Sequence, residues 1–312
     1  MLRYKFINLE VVSIHQDTPD IKTFTLKDAE NWDLPPFTPG SHIYVHRSEF
    51  ESRPYSLSNG PAENKLYRIS VKRVEDGEVS PWLHDEVKLG DIVLVSLPSN
   101  NFKFESGAAH SIFIAGGIGI TPIMSMLDTV SHPHEFFYLA RSPEHAAFYD
   151  DLRSKAGEHP RSFHFSAEQG KTDIRSLLAR AGPQTHVYCC GPAPLMDAVV
   201  EACQEKGLPA DQIHVELFKP LRSGGAEAAF TLRLKKSGRE IVVDQGNNAV
   251  RALRAAGINL QASCMGGICG RCVTTYTDGS PIHHDQILSA EERKSQVALC
   301  VCSAEGVLEL DM

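Results

Sequence analysis

Four cysteines near the carboxyl end of this 312-residue chain have a spacing that suits metal chemistry. Cys264, Cys269 and Cys272 form a C-x4-C-x2-C loop, and Cys300 follows 28 residues after the third. Plant-type 2Fe-2S clusters are ligated by three thiolates on one loop and a fourth further along the chain. The spacing therefore predicts a 2Fe-2S cluster in this part of the chain.

Glycines lie between and beside these cysteines, at Gly266, Gly267 and Gly270. Several backbone N–H groups must turn towards the cluster sulfurs, and a Cβ in this loop would restrict that path. The alternative is a four-cysteine zinc site, which usually has two separate C-x2–4-C knuckles. Three ligands on one loop favour the iron–sulfur interpretation.

The last ligand has two candidates, because Cys300 and Cys302 lie in one short run and would share a face if that run were a strand. Spacing alone does not choose between them. The remaining cysteines, Cys189, Cys190 and Cys203, are interpreted as small buried residues, since free cysteine is among the most buried residue types.

A second set of reactive residue types is Arg53-Pro54-Tyr55-Ser56, at the end of a predicted strand. The arginine can hold a flavin phosphate, and the tyrosine ring can pack on the isoalloxazine or the ribityl chain. Ser56 can hydrogen-bond near the flavin N5, where a hydride arrives. On their own, an arginine and a tyrosine at a strand end are more often ordinary surface.

Two glycine turns suit a dinucleotide. Residues 112–123 read as a strand, a glycine turn and a helix start, with Thr121 as the expected N-cap and Pro122 at the first helical position. The turn departs from the G-x-G-x-x-G fingerprint, and a turn without ligand is the alternative. A second turn at 190–192 also follows a strand. Together they predict one pyrophosphate-binding crevice.

Three domains are expected to position these residues. Residues 1–104 contain short alternating runs typical of an antiparallel β-barrel, here flavin-binding. Residues 105–222 alternate strands with helices, which predicts a parallel α/β sheet that binds NAD. A Pro/Gly/Ser-rich linker precedes residues 223–312, which carry the cysteine loop.

Charge and hydropathy exclude several classes of protein. The formal net charge of −8 argues against nucleic acid and anionic membrane as partners. No apolar run approaches the roughly 18 residues that cross a bilayer. The amino terminus lacks a secretory signal, so the sequence predicts a soluble cytoplasmic protein with few disulfides.

In order along the chain, Arg53-Pro-Tyr-Ser, the turn at 115–122, Cys190-Gly-Pro and the cysteine loop resemble the phthalate dioxygenase reductase family, which includes vanillate demethylase reductases. The resemblance covers essentially the whole chain. It implies a ferredoxin-reductase-type flavin barrel, an NAD-binding α/β domain and a β-grasp 2Fe-2S ferredoxin domain. It also implies FMN rather than FAD, and NADH.

The resemblance assigns roles to individual positions. Those that match flavin contacts are Arg53, Pro54, Tyr55, Ser56, Ser70, Val71, Lys72 and Ser80. Those that match the nucleotide crevice are Gly117, Thr121, Cys190, Gly191 and Pro192. Phe218 matches the aromatic that covers the flavin, with a core or linker aromatic as the alternative. Ser56 and Phe218 are the expected catalytic residues. Cys300 aligns with the fourth ligand, and Cys302 with a serine.

Some positions depart from the family pattern. Met265 replaces an acidic residue in the cysteine loop, and residues 78–79 replace two glycines before the flavin-binding serine. For the adenosine ribose, Glu168 is the only acidic candidate in its segment. Arg141 beside Ser142 keeps NADPH open, although NADH is preferred.

The function implied is electron transfer from NADH through flavin and the cluster to a terminal oxygenase, of the Rieske type that acts on aromatic compounds. A flavin is needed because nicotinamide reacts in two-electron steps and the cluster in one-electron steps. The alternatives are a reductase for a cytochrome P450, an electron-transfer subunit of another flavoenzyme, and a redox sensor that reads NADH.

Overall fold

The computed structural model describes residues 6–48, 51–75, 77–154, 161–218, 226, 228–262, 265–267, 270–285 and 287–312. Two compact units divide the chain. Residues 1–46 and 54–218 form the first unit, and residues 47–53 and 219–312 form the second. Within the described residues, no helix is both long and apolar enough to cross a membrane.

An antiparallel β-barrel comes first along the chain, and all of its elements except Ser52 and Arg53 belong to the first unit. Its elements are β1 (Phe6–Thr18), β2 (Ile21–Lys27), β3 (His42–His46), β4 (Ser52–Ser56), β5 (Tyr67–Lys72), α1 (Val79–Asp85) and β6 (Ile92–Ser96). The strand order is β4-β3-β6-β1-β2-β5. A bridge between Leu57 and Ile69 joins the two outermost strands and closes the barrel. Alternate residues such as Phe24 and Leu26 fill its interior, as the period of two predicts.

A parallel α/β sheet follows in the same unit. Its elements are β7 (His110–Gly116), α2 (Ile120–Leu127), β8 (His134–Ala140), α3 (Tyr149–Ser154), β9 (Arg161–Phe165), α4 (Ser166–Gln169), α5 (Ile174–Leu177), β10 (Thr185–Cys190), α6 (Ala193–Glu205) and β11 (Ile213–Glu216). The order β11-β10-β7-β8-β9 is parallel throughout. Strands β8 and β9 are added on one side of β7 and strands β10 and β11 on the other, so the strand order reverses between β7 and β10, where open α/β sheets form their ligand crevice.

The second unit has a mixed sheet with one helix. Its elements are β12 (Phe230–Leu234), β13 (Glu240–Val243), α7 (Ala249–Ala255), β14 (Val273–Asp278), β15 (Pro281–Ile282), β16 (Gln296–Ala298), β17 (Ser303–Ala304) and β18 (Val307–Leu310). The main sheet runs β13-β12-β18-β14-β16, and only the β12–β18 pair is parallel. Val250 and Leu253 of α7 share a core with Leu232 and Leu308 of the sheet. This is the predicted β-grasp arrangement.

Candidate active site and metal centre

The two predicted glycine turns meet at the carboxyl ends of β7 and β10. A short 3-10 turn, Gly117–Gly119, leads from β7 into α2, while Gly191 and Pro192 lead from β10 into α6. A Cβ placed on Gly119 would lie 2.1 Å from the carbonyl oxygen of Cys190. The backbones are therefore in direct contact, and the predicted crevice residues lie together at the switch point of the sheet.

Thr121 does not cap α2, so the predicted N-cap is wrong. The chain enters helical geometry earlier, through the Gly117–Gly119 turn, and α2 begins at Ile120. The Thr121 hydroxyl is buried and donates to the carbonyl of Ile118 at 3.1 Å. On the other side of the turn, the Tyr138 hydroxyl donates to the carbonyl of Gly117 at 3.2 Å. Both hydroxyls thus stabilise the turn through hydrogen bonds to the carbonyl groups of its residues.

The predicted flavin residues lie on β4, β5 and the start of α1. Arg53, Pro54, Tyr55 and Ser56 lie on β4, where the Arg53 Nη1 donates to the carbonyl of Ser52 at 2.8 Å. Tyr55 packs against the barrel core. The hydroxyl of Ser80, in the first turn of α1, accepts from the backbone N–H of Val74 at 3.1 Å.

Strand β5 lies against the Gly117–Gly119 turn and divides its side chains between two faces. Val71 belongs to the barrel core, so its backbone is the part left for a flavin contact. Ser70 points to the opposite face and is also buried, with 4% of its surface exposed. The Lys72 ammonium is exposed and lies 3.1 Å from Asp20 Oδ2.

Glu216, the last residue of β11, was missed by the sequence analysis. The Ser56 hydroxyl donates to Glu216 Oε2 in a long hydrogen bond of 3.4 Å. The register of the sheet places Glu216 opposite Cys190. Desolvation raises the pKa of Glu216 to about 8, although the Ser56 hydrogen bond opposes that shift. A carboxyl group with this pKa beside a nucleotide crevice is typical of a functional site.

Cys190 is completely buried, and its burial, together with the nearby Glu216, raises the pKa of the thiol. It is therefore a neutral, compact group at the floor of the crevice rather than a nucleophile.

Phe218 follows two residues after Glu216 and has 41% of its surface exposed, so it is not a core aromatic of the described fold. The only sequence signal for Glu216 was a carboxylate at the end of an apolar run.

Of the four predicted cluster ligands, Cys264 and Cys269 lie outside the described residues. Cys272 and Cys300 are buried in the core of the second unit. Residues 299–302 form a turn between β16 and β17, so the two candidate cysteines do not share a strand. The Gly267 N–H donates to Cys300 Sγ at 3.3 Å, whereas Cys302 Sγ donates to the Leu299 carbonyl at 3.9 Å.

The described part of the cysteine loop includes one glycine whose conformation and surroundings exclude any other residue type. Gly267 has a φ of +70°, and a Cβ there would lie 2.8 Å from Val301 Cγ2 and 2.9 Å from Asp285 Cα. Only glycine fits this conformation and this space. Thiolates and sulfides accept N–H hydrogen bonds that stabilise their charge, so the bond to Cys300 supports it as the fourth ligand. The described residues fit a 2Fe-2S cluster.

Comparison with known families agrees with this arrangement. Residues 8–104 match the model of an oxidoreductase FAD-binding domain, residues 113–201 an oxidoreductase NAD-binding domain, and residues 232–305 a 2Fe-2S iron-sulfur cluster binding domain. The chain is thus a modular oxidoreductase with flavin, NAD and 2Fe-2S domains, which confirms the predicted class. The predicted domain limits at 104/105 and 222/223 and the individual site residues stay predictions.

Individual relatives are similar over nearly the whole chain. A vanillate O-demethylase oxidoreductase of Acinetobacter baylyi is 37% identical, and the alignment covers 98% of this chain and 99% of the relative. A crystal structure of phthalate dioxygenase reductase, described as modular for electron transfer from pyridine nucleotides to [2Fe-2S], has a TM-score of 0.80 at 33% identity and 98% coverage of both chains. The chain belongs to the phthalate dioxygenase reductase family.

A third similarity is to part of a longer chain. An intact type IV self-sufficient cytochrome P450 monooxygenase has a TM-score of 0.74 at 32% identity. The match covers 98% of this chain and 41% of that one. The same three-domain module therefore occurs both as a separate chain and fused to another protein.

Substituting Gly119 tests the contact between the two turns. We expect Gly119→Ala to lower the free energy of unfolding by about 1–3 kcal/mol, because the new methyl group meets the Cys190 carbonyl. The KM for NADH should rise as the turn moves. Gly182→Ala is the matched control, since a Cβ there meets no atom within 4 Å. Urea unfolding and NADH kinetics check both; equal behaviour of the two variants would contradict the contact.

The fourth cluster ligand can be tested by paired substitutions. We expect Cys302→Ser to keep the visible absorption and the electron paramagnetic resonance signal of the reduced cluster. Cys300→Ser should lose them, because its sulfur faces the Gly267 N–H. The opposite pattern, with the signal lost only in Cys302→Ser, would assign the ligand to Cys302.

Proposed function

We propose that this chain is the reductase component of an oxygenase system, which passes electrons from NADH through FMN and a 2Fe-2S cluster to a terminal oxygenase. The observation that carries the proposal is the meeting of Ser56 from the barrel with Glu216 beside the glycine turns. Flavin and nucleotide residues must lie side by side for hydride transfer, and these two side chains join the two sites.

The chain's own residues act mainly by binding and orienting. The bound flavin accepts a hydride and releases single electrons, which the 2Fe-2S cluster carries onward. Ser56 presents a hydroxyl where the hydride arrives, and Glu216 holds that hydroxyl. The thiol of Cys190 is compact and would leave room for a nicotinamide ring in the crevice. Catalysis on this proposal is chiefly positioning, which brings the reacting atoms into a productive geometry.

The choice of cofactors rests on particular residues. The family resemblance of Arg53, Tyr55 and Ser56 supports FMN rather than FAD. For the dinucleotide, Glu168 lies on α4 directly after β9, where a carboxylate would favour the free ribose hydroxyls of NADH and repel the extra phosphate of NADPH. Arg141, the residue that keeps NADPH as the alternative, lies close to α4, because its carbonyl accepts a hydrogen bond from the N–H of Ala167.

The acceptor we propose is an oxygenase that docks transiently on this reductase, of the Rieske type that acts on aromatic compounds. The vanillate O-demethylase and phthalate dioxygenase relatives support this assignment. A second candidate is a cytochrome P450, because the same module forms part of a self-sufficient P450 monooxygenase. Each acceptor would receive one electron at a time from the cluster.

The complete electron path can be tested with the purified protein. We expect it to contain one flavin and one cluster and to reduce cytochrome c with NADH. Cys272→Ser should lose cytochrome c reduction but keep NADH-dependent ferricyanide reduction, since ferricyanide accepts electrons directly from flavin. The flavin is identified by release and mass measurement. Absence of both bound flavin and NADH oxidation would contradict the proposal.

The role of Glu216 has a pH signature. Because its pKa is raised to about 8, Glu216 is neutral at pH 7 in the folded protein and ionises as the pH rises above about 8. Its contribution to stability is fully present below the ordinary pKa of 4.5, declines as the pH rises above that value and is lost once the pH exceeds about 8. We expect flavin reduction by NADH, followed by stopped flow, to change between pH 7 and pH 9 in the wild type and to be flatter in Glu216→Gln. Matching profiles would contradict this role.

A further inference from the structure

A chain of three hydrogen-bonded side chains runs across three neighbouring strands of the barrel, β1, β2 and β5. Thr23 on β2 and Ser70 on β5 lie directly opposite each other, and their hydroxyl oxygens are 2.5 Å apart. The Thr23 hydroxyl also donates to Asp17 Oδ2 on β1. We call Asp17, Thr23 and Ser70 the hydroxyl relay. No part of the electron path described above uses Asp17 or Thr23.

The hydroxyl relay lies on the face of the barrel that packs against the nucleotide-binding sheet. Ile21, on the same face of β2 as Thr23, belongs to the core that includes Tyr138. Thr23 has only 7% of its surface exposed. At one end Ser70 lies on the strand beside the Gly117–Gly119 turn, and at the other end Asp17 is half-buried. The relay thus connects the predicted flavin strand with a carboxyl group that water can reach.

Hydrogen counting sets the direction of these bonds. An ionised carboxylate only accepts, and each hydroxyl carries a single hydrogen. When Asp17 is ionised, Thr23 must donate to it, and Ser70 must therefore donate to Thr23. Ser70 then presents only lone pairs to a ligand. When Asp17 is protonated, every bond can reverse, and Ser70 can offer its hydrogen to the ligand instead.

We propose that the hydroxyl relay couples the charge of the bound flavin to a proton on Asp17, with Asp17 and Thr23 as positioning residues that act through Ser70. The inference rests on the proposed function and on the family resemblance, which assigns Ser70 to the flavin contacts. Electrons supplied by NADH make the flavin more negative, which favours a donor over an acceptor at Ser70. Asp17 then takes one proton from a hydronium ion of the solvent, so that one O–H bond of that ion breaks as the Asp17 O–H bond forms. The Thr23 and Ser70 hydroxyls rotate and keep their own O–H bonds, which reverses the direction of both hydrogen bonds.

The surroundings of Asp17 suit a carboxyl group that changes its protonation. Burial raises its pKa, and the Thr23 hydrogen bond opposes this shift. The other charged and titratable groups that act on Asp17 are His15, Asp151, Arg68 and Tyr138. His15 and Arg68 lower the pKa, whereas Asp151 raises it. Burial is the largest of these effects, so Asp17 takes up a proton more readily than an exposed aspartate.

The test measures the midpoint potential of the flavin against pH in the intact protein, by spectroelectrochemistry between pH 5 and pH 8. The wild type should show an additional rise in potential as the pH falls and Asp17 is protonated. Thr23→Val removes the connecting hydroxyl, and Asp17→Asn removes the titrating group, so both should lose that rise. Thr23→Ser keeps a hydroxyl and should retain it.

Thr25→Val is the matched control, because Thr25 lies on the same face of β2, two residues from Thr23 and outside the relay. It should behave as the wild type.

A second measurement is the Kd for FMN of the flavin-free protein, which should rise by up to about tenfold in Ser70→Ala through loss of one hydrogen bond.

The outcomes separate the relay from the proposed function. A Thr23→Val protein that binds FMN and keeps the wild-type profile would overturn the relay while leaving the electron path intact. Retention of the profile in Asp17→Asn alone would equally overturn it, because a group other than Asp17 would then bind the proton. A wild type that binds no flavin would overturn both.

Discussion

The contact between the two glycine turns is the constraint on which the rest of the first unit depends. With Gly119 against the Cys190 carbonyl, no side chain separates the ends of β7 and β10. The backbone groups of both turns therefore border a single crevice. Strand β5 of the barrel lies on the same turn, so the flavin residues take their position from it. A substitution that separated the two turns would move both candidate binding sites at once.

Polar side chains accumulate around that contact, and their burial explains how they can act. Desolvation favours neutral groups, which is why the carboxyl of Glu216 and the thiol of Cys190 both have raised pKa values. Buried hydroxyls in turn require hydrogen-bond partners. The Ser56 hydroxyl is hydrogen-bonded to Glu216, and the Ser70 hydroxyl is hydrogen-bonded to Thr23. The same burial that makes these groups costly makes their protonation sensitive to a charge placed on a neighbouring flavin.

Sequence patterns predicted the class and the fold, because glycine turns, cysteine spacing and strand periodicity are local features. What they missed depends on pairing between distant segments. Glu216 reaches Ser56 only because β11 pairs with β10, and the link between Thr23 and Ser70 requires the register of β2 with β5. The error at Thr121 has another cause, since the preceding 3-10 turn moved the start of the helix by two residues.

The choice between Cys300 and Cys302 shows how tertiary structure adds evidence where spacing leaves two candidates open. Both thiols are buried, so burial alone does not distinguish a ligand from a core residue. The two thiols have different partners across the turn at 299–302, because Cys302 donates to the Leu299 carbonyl whereas Cys300 accepts from Gly267. Gly267 makes this bond from a left-handed conformation. A hydrogen bond to sulfur stabilises a thiolate more than a thiol, because the charged sulfur is the stronger acceptor. The hydrogen bond from Gly267 therefore favours Cys300 over Cys302 as the predicted ligand, and Cys302 is then a small residue of the core.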